Sequence, residues 1–294
     1  MMIRNKNDLG TTSRFARTHV PGGTEKSKHT GQPTLVLQVG TDLDPGLRLK
    51  DEPNEDTLFV TYGTIPAASS EPSPFALFAV ADGMGGHAHG QEASRLAVDT
   101  LARSVCGVLN SPQQWPDALL PVLIAGVWSA NQAIYQRNQG QGGSMGTTMT
   151  AALVTGTTAS VAHAGDSRCY LYRPSTGLSQ ITHDHSVVAA LVDVKVIQPD
   201  DIYTHPMRNL IYRSLGEKAA VEVDGSTVPL AAGDILLLCS DGLWEMVRDP
   251  QIAAILSEPE PDPSRTAHAL IQAALAGGGE DNVSAIVVKV NREL

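Results

Sequence analysis

The sequence predicts an α+β fold, with sheets covered by helices. Two observations carry this expectation: short apolar runs cluster between turn signals as strands do, and helical apolar periodicity recurs between those clusters. Thr34–Gly40 and Thr57–Tyr62 read as the first two strands. A Pro- and Ser-rich loop over Ile65–Pro74 leads into Phe75–Ala81, a solid apolar run that suits a strand buried on both faces. Ala93, Leu96, Ala97, Thr100, Leu101, Val105, Val108 and Leu109 then keep the 3–4 spacing of one buried helical face. A second helix is expected within Pro116–Asn138, with Pro121 leaving its start open.

Met149–Thr155, Ala159–Ala164, Arg168–Tyr172 and Leu178–Ile181 follow as strands separated by short turns. Ser186–Lys195 is expected to be helical, and the polar stretch to Asn209 to be a surface flap. Asp224-Gly225, between Val221–Val223 and Thr227–Val228, carries a two-residue hairpin signal. Asp234–Ser240 reads as another buried strand. In the last helix Asp262 suits the N-cap, Pro263 the first turn, and Gly277–Gly279 the stop; strand Val283–Val290 closes the domain.

The chain has 294 residues and 42% hydrophobic content, ample for a large core. Its longest apolar runs, Phe75–Ala81 and Ile235–Cys239, are far too short to cross a bilayer, so no membrane association is expected. No apolar stretch follows the N-terminal charges, so no secretory signal is expected either. The three cysteines, Cys106, Cys169 and Cys239, are scattered; they suggest neither a disulfide scaffold nor a zinc ribbon and suit a reducing cytoplasm. Residues 1–33 hold six Lys/Arg against two Asp/Glu and read as a flexible basic tail. The rest is therefore more acidic than the whole chain's −10. Such a body is a poor partner for nucleic acid and a good source of ligands for hard cations.

Asp82-Gly83 and Asp241-Gly242 each end an apolar strand (FALFAVADG and DILLLCSDG). A carboxylate there pays desolvation unless it has a partner. It either caps the helix that follows or shares a cation, and this pattern alone leaves both open. Asn54-Glu55-Asp56 and Glu280-Asp281-Asn282 immediately precede strands, so four acidic clusters can converge at one edge of the sheets. Paired divalent cations activate water near neutral pH and orient a phosphoryl group for in-line attack. Gly83, Gly85 and Gly86 let the backbone come close to an ion.

Asp82-Gly83-Met84-Gly85-Gly86-His87 resembles the DGxGGH signature of the PP2C-type (PPM) phosphatases, in the form usual for bacterial members. The resemblance continues in order through Asn54-Glu55-Asp56, Gly146-Thr147-Thr148, Ala164-Gly165-Asp166-Ser167-Arg168, Thr182-His183-Asp184-His185-Ser186, Ser240-Asp241-Gly242-Leu243-Trp244 and Glu280-Asp281-Asn282-Val283-Ser284. It implies an αββα sandwich of two antiparallel sheets between helix pairs, occupying residues 34–294. It implies two central Mn²⁺ or Mg²⁺ ions and a possible third. Asp82 would bridge the central pair with the Gly83 carbonyl on one ion, and Asp241 and Asp281 would hold the second. Glu55 and Asp56 would hold metal-bound waters, Asp166 would help bind the third ion, and Asn282 would support the site. The implied reaction is attack of a metal-bridging hydroxide on phosphoserine or phosphothreonine in proteins, reversing a bacterial Ser/Thr kinase, by a monomer.

Two departures stand out. The arginine that clamps substrate phosphate in the family is replaced here by Asp51, with Arg48 and Lys50 nearby; Arg48 is the better candidate because guanidinium binds phosphate through two parallel hydrogen bonds. Met84 stands where eukaryotic relatives have a histidine proposed as general acid, and methionine cannot donate that proton. His87 and His89 read as local hydrogen-bonding groups at a helix entry, and His183 and His185 as a turn supporting the flap. Ser167 has no nucleophile elbow around it, and Gly142–Gly146 is a glycine-rich bend without a phosphate-loop ending. The rival readings are a pseudophosphatase or metal-stabilised binding module, and a two-metal hydrolase of small phosphoesters.

Overall fold

The computed structural model describes residues 35–66, 73–86, 88–111, 118–141 and 145–293. The expected tail over 1–33, Thr34, His87, the centre of the Ile65–Pro74 loop, Pro116 and residues 142–144 of the glycine bend lie outside the described residues. The chain from Pro33 onward forms one unit.

Alternation along the strands builds the architecture. In β3 (Ser73–Met84) the side chains of Phe75, Leu77, Ala79 and Ala81 enter one core, while Ala76, Phe78 and Val80 enter another. β5 (Met149–Thr155) divides in the same way. So do β10 (Ile235–Cys239) and β11 (Val283–Arg292), between the inter-sheet core and a third core. A strand with a core on each side needs apolar residues at every position, hence the unbroken runs.

One antiparallel sheet orders β2 (Asp56–Ile65), β3, β5, β6 (Thr158–Ala164) and β9 (Asp224–Pro229), with the short β4 (Gly146–Thr147) on β3. The other orders β1 (Leu35–Asp44), β11, β10, β7 (Arg168–Arg173) and β8 (Gly177–Gln180). In the β1–β11 ladder Leu35 pairs with Arg292 and Asp44 with Val283. Helices α1 (Ala88–Leu109) and α2 (Leu120–Gln141) cover the first sheet through Ala97, Leu101, Val105, Leu123, Val127 and Ile134. Helices α4 (Asp241–Trp244), α5 (Asp249–Ser257) and α6 (Pro263–Gly277) cover the second. The result is the expected four-layer αββα sandwich. Helix α3 (Val187–Asp193) and a 3-10 turn over Pro199–Tyr203 form the flap. Among the described residues no helix is long and apolar enough to cross a membrane.

The end signals of α6 act as expected: Asp262 accepts from the Ser264 amide at 2.9 Å, and Gly278 closes the helix at φ 141°. Asp262→Ala should therefore lower unfolding free energy by about 1 kcal/mol in a denaturant titration, and an unchanged midpoint would deny the cap any weight.

Asp224-Gly225 is not a hairpin. It opens β9, which runs beside β6 with Asp224 opposite His163, and among the described residues no further strand pairs with β9's outer edge. The local dipeptide favours a turn, but pairing to β6 determines the conformation. Asp82 is also not the last residue of its strand, because Gly83 and Met84 continue as partners of β4.

Candidate metal centre

The period of two that builds the cores also aims the acids. Asp82 follows Ala76, Phe78 and Val80 on the inter-sheet face of β3, and Asp56 stands directly opposite it on β2. Like charges at such a pair are destabilising unless something neutralises them. From the other sheet, Ser240 at the end of β10 donates to Asp56 Oδ2 at 2.6 Å, and the Ser284 amide and hydroxyl donate to Ser240 Oγ at 3.0 and 3.1 Å. This buried serine pair joins the two sheets where the acids gather.

Asp241, one residue further, opens α4. Asp281 and Asn282 lead into β11, and Asn282 ties three segments together. Its Oδ1 accepts from the Glu55 amide at 2.7 Å, its Nδ2 donates to the Pro45 carbonyl at 2.9 Å, and its own amide donates to Asp281 Oδ1 at 2.7 Å. The Asp82 peptide is held by Thr147 and Thr148: its amide donates to Thr148 Oγ1, and its carbonyl accepts from Thr147 Oγ1 and the Thr148 amide. A Cβ on Gly83 would lie 2.0 Å from the Gly90 carbonyl, and one on Gly90 would lie 2.2 Å from Glu55 Oε2. Both glycines are thus required for the close approach of β3, α1 and Glu55.

A cleft of about 320 Å³ opens here, lined by Glu55, Asp82, Gly83, Asp166, Asp241 and Asp281 among others. Burial, with the charges of Asp241, Asp56, Asp281 and Asp166, raises the Asp82 carboxyl well above the usual carboxylate range. Asp241 is raised likewise, by burial and then by the charges of Asp166 and Asp281. Burial pushes Asp56 up to about 7 despite the serine hydrogen bonds, and Asp166 up to about 7 with the charge of Asp184 adding to it. Asp281 stands exposed at the rim; the protein around it still raises its carboxyl, opposed by the Asn282 amide and the charge of Arg48. Asp56 Oδ1 and Asp241 Oδ1 are buried without a hydrogen-bond partner. Among the described residues, no three acidic, His or Cys side chains are drawn into a finished ligand shell.

These two orphaned oxygens test the expected cofactor on the structure's own terms. Carboxylates that share a cleft, repel one another and leave buried lone pairs unsatisfied have the donor set of a hard divalent cation. They fit.

Of the residues named from the sequence, Glu55, Asp82, Gly83, Asp166, Asp241, Asp281 and Asn282 line the cleft, whereas Asp56 does not line it and stands beside it, opposite Asp82 and bound by Ser240. Arg48 does not line the cleft; its side chain is exposed, its amide donates to the Gly279 carbonyl, and its charge reaches Asp281. Sequence reasoning missed Glu245, one turn after Asp241, whose carboxyl is raised by burial. The flap's Arg208 bridges to Glu245 at 3.6 Å and to Glu280 at 3.1 Å. The i, i+4 spacing of Asp241 and Glu245 was the available signal.

Residues 48–273 match the sequence profile described as Protein phosphatase 2C. The chain belongs to the protein phosphatase 2C family. It is 42% identical over 259 residues to the serine/threonine protein phosphatase PstP of Mycobacterium tuberculosis, a match covering 87% of this chain and 46% of PstP, so it spans about half the length of that relative. It is 36% identical over 222 residues to the serine/threonine phosphatase stp of Listeria welshimeri, covering 72% of this chain and 83% of stp. The solved catalytic domain of PstP in complex with two manganese ions superposes with a TM-score of 0.72 at 37% identity, covering 88% of this chain and 100% of that one. The S. agalactiae serine/threonine phosphatase superposes at 0.74 with 28% identity, covering 86% and 99%. This member of the protein phosphatase 2C family thus carries its acids on the same sandwich as bacterial phosphatases of known structure.

Proposed function

We propose that this chain is a metal-dependent protein phosphatase that hydrolyses phosphoserine and phosphothreonine. The observation that carries this reading is the convergence of Asp82 and Asp56 from one sheet with Asp241 and Asp281 from the other, with buried carboxylate oxygens unpaired. Asp82, the Gly83 carbonyl, Asp241, Asp281, Asp166 and Glu55 would hold two central Mn²⁺ or Mg²⁺ ions and a third. When bound, such ions supply positive charge to the phosphoryl oxygens and make water a usable nucleophile near neutral pH.

The chain's own groups do the rest. Asn282 and the Thr147–Thr148 pair fix the backbone of Glu55 and Asp82, and the Asn282 amide holds the Asp281 carboxylate, so the segments that carry these acids are anchored before loading. Met84 lines the cleft and cannot donate a proton, so protonation of the leaving serine or threonine oxygen falls to water or to another group. The substrates fitting this reading are phosphoproteins made by a bacterial Ser/Thr kinase, met in the cytoplasm by a monomeric enzyme.

Phosphate release from a phosphothreonine peptide, set against a nucleoside monophosphate, tests the substrate class. The peptide should be the better substrate by kcat/KM; preference for the nucleotide would favour a small-molecule hydrolase, and no turnover of either would favour a binding module. Arg48→Ala should raise KM for the peptide about tenfold or more, because a charge-assisted hydrogen bond to phosphate contributes about 1.5–3 kcal/mol. An unchanged KM would assign phosphate binding to another group.

A further inference from the structure

Several motif residues lie outside the cleft: Arg168, Asp184, His185 and Trp244. The structure shows what they share. Arg168 ends the turn Gly165-Asp166-Ser167-Arg168, and the other three close around it from two separate parts of the chain.

Trp244, at the end of α4, donates its indole N–H to the Asp166 carbonyl at 2.9 Å. The Arg168 guanidinium lies 3.6 Å from the centre of the Trp244 ring and grips Asp184 through two hydrogen bonds, Nε to Oδ1 at 3.0 Å and Nη2 to Oδ2 at 2.6 Å. His185 holds both polar groups of the Gly165 peptide unit: its Nδ1 accepts from the Gly165 amide at 3.0 Å, and its own amide donates to the Gly165 carbonyl at 2.8 Å. The far side of its ring meets Asp224 and Arg213. Gly165 sits at φ 119°, and a Cβ there would lie 2.6 Å from Thr148. The turn is thus fixed on both flanks of Asp166, and Asp166 itself is presented to the cleft.

The same strap holds the flap. The His185 carbonyl accepts from the Tyr212 amide at 2.9 Å, the Leu210 carbonyl accepts from the Val187 amide at 2.8 Å, and Ser186 caps α3. The residues clamping the Asp166 turn are therefore continuous with both ends of the flap.

We propose that Trp244 and His185, with the Arg168–Asp184 pair between them, are positioning residues that set Asp166 for its cation. The inference rests on the reading of Asp166 as a ligand. The weakest class of Mn²⁺ sites, counted by electron paramagnetic resonance of free Mn²⁺ in titrations of the full chain, reads it without turnover. Asp166→Asn should remove that class. Trp244→Phe keeps the ring beneath Arg168 and loses only the N–H, and should weaken the class about tenfold, as loss of a supporting hydrogen bond around a metal does. His185→Phe should weaken it similarly, whereas His185→Asn, whose Oδ1 can accept from the Gly165 amide, should restore most of the affinity. Thermal midpoints in EDTA establish that each variant is folded. If Asp166→Asn removes the class while Trp244→Phe and His185→Phe leave it intact, or if His185→Asn and His185→Phe are equally weak, the positioning role is wrong. If Asp166→Asn itself changes nothing, the ligand reading fails and this inference falls with it.

Discussion

Asp82→Asn should lower turnover of a phosphothreonine peptide by about three orders of magnitude or more at saturating Mn²⁺. The size follows from what the position does. The charges of Asp56, Asp166, Asp241 and Asp281 all bear on Asp82, and in the proposed function its carboxylate is a ligand of the central ions. Losing a ligand there forfeits several kcal/mol of charge stabilisation, and about 4 kcal/mol corresponds to a thousandfold in rate. The fold should not suffer. Asparagine has the same shape, and without metal it relieves the repulsion between residues 82, 56 and 241, so the thermal midpoint in EDTA should match or exceed that of the unaltered chain. Turnover within tenfold of the parent, with Mn²⁺ stoichiometry intact, would remove Asp82 from the chemistry.

The second large effect is removal of the ions. EDTA should abolish phosphate release, and excess Mn²⁺ should restore it, because no other group among the cleft's described residues can supply the missing positive charge at its centre. Loading should also stabilise. A ligand present at 100 times its dissociation constant adds about 2.7 kcal/mol for one site, which for a domain of this size is roughly 5–10 °C in midpoint. Activity that persists after chelation, or a midpoint indifferent to Mn²⁺, would leave the raised carboxyls of Asp82 and Asp241 without a purpose.

Much of this was legible in the chain. Runs such as FALFAVA and ILLLC announce strands with a core on each side, and the structure gives them one. Asp262 and Pro263 marked the start of α6 and Gly277–Gly279 the region of its end, because caps are local chemistry. The acids at strand ends marked the site, because desolvating a carboxylate is costly wherever it occurs. What escaped notice depends on partners far away in the chain. Asp224-Gly225 reads as a turn until β6 pairs with it. Helix α5 has only nine residues and a weak periodic stripe, so its packing on the second sheet, not its pattern, makes it a helix. The role of Trp244 at Asp166 spans 78 positions and leaves no mark in local spacing.

The β1–β11 ladder has a practical consequence for handling the protein. Its Asp44–Val283 rung lies beside the acidic cleft, and its Leu35–Arg292 rung is nine steps away, roughly 30 Å along the strand direction. A reporter or affinity module spliced on before Leu35 or after Arg292 therefore departs from the pole remote from the substrate entrance, with the two attachment points side by side. Labels placed there should leave phosphopeptide access untouched, and a donor–acceptor dye pair at those two sites would report on the separation of β1 from β11.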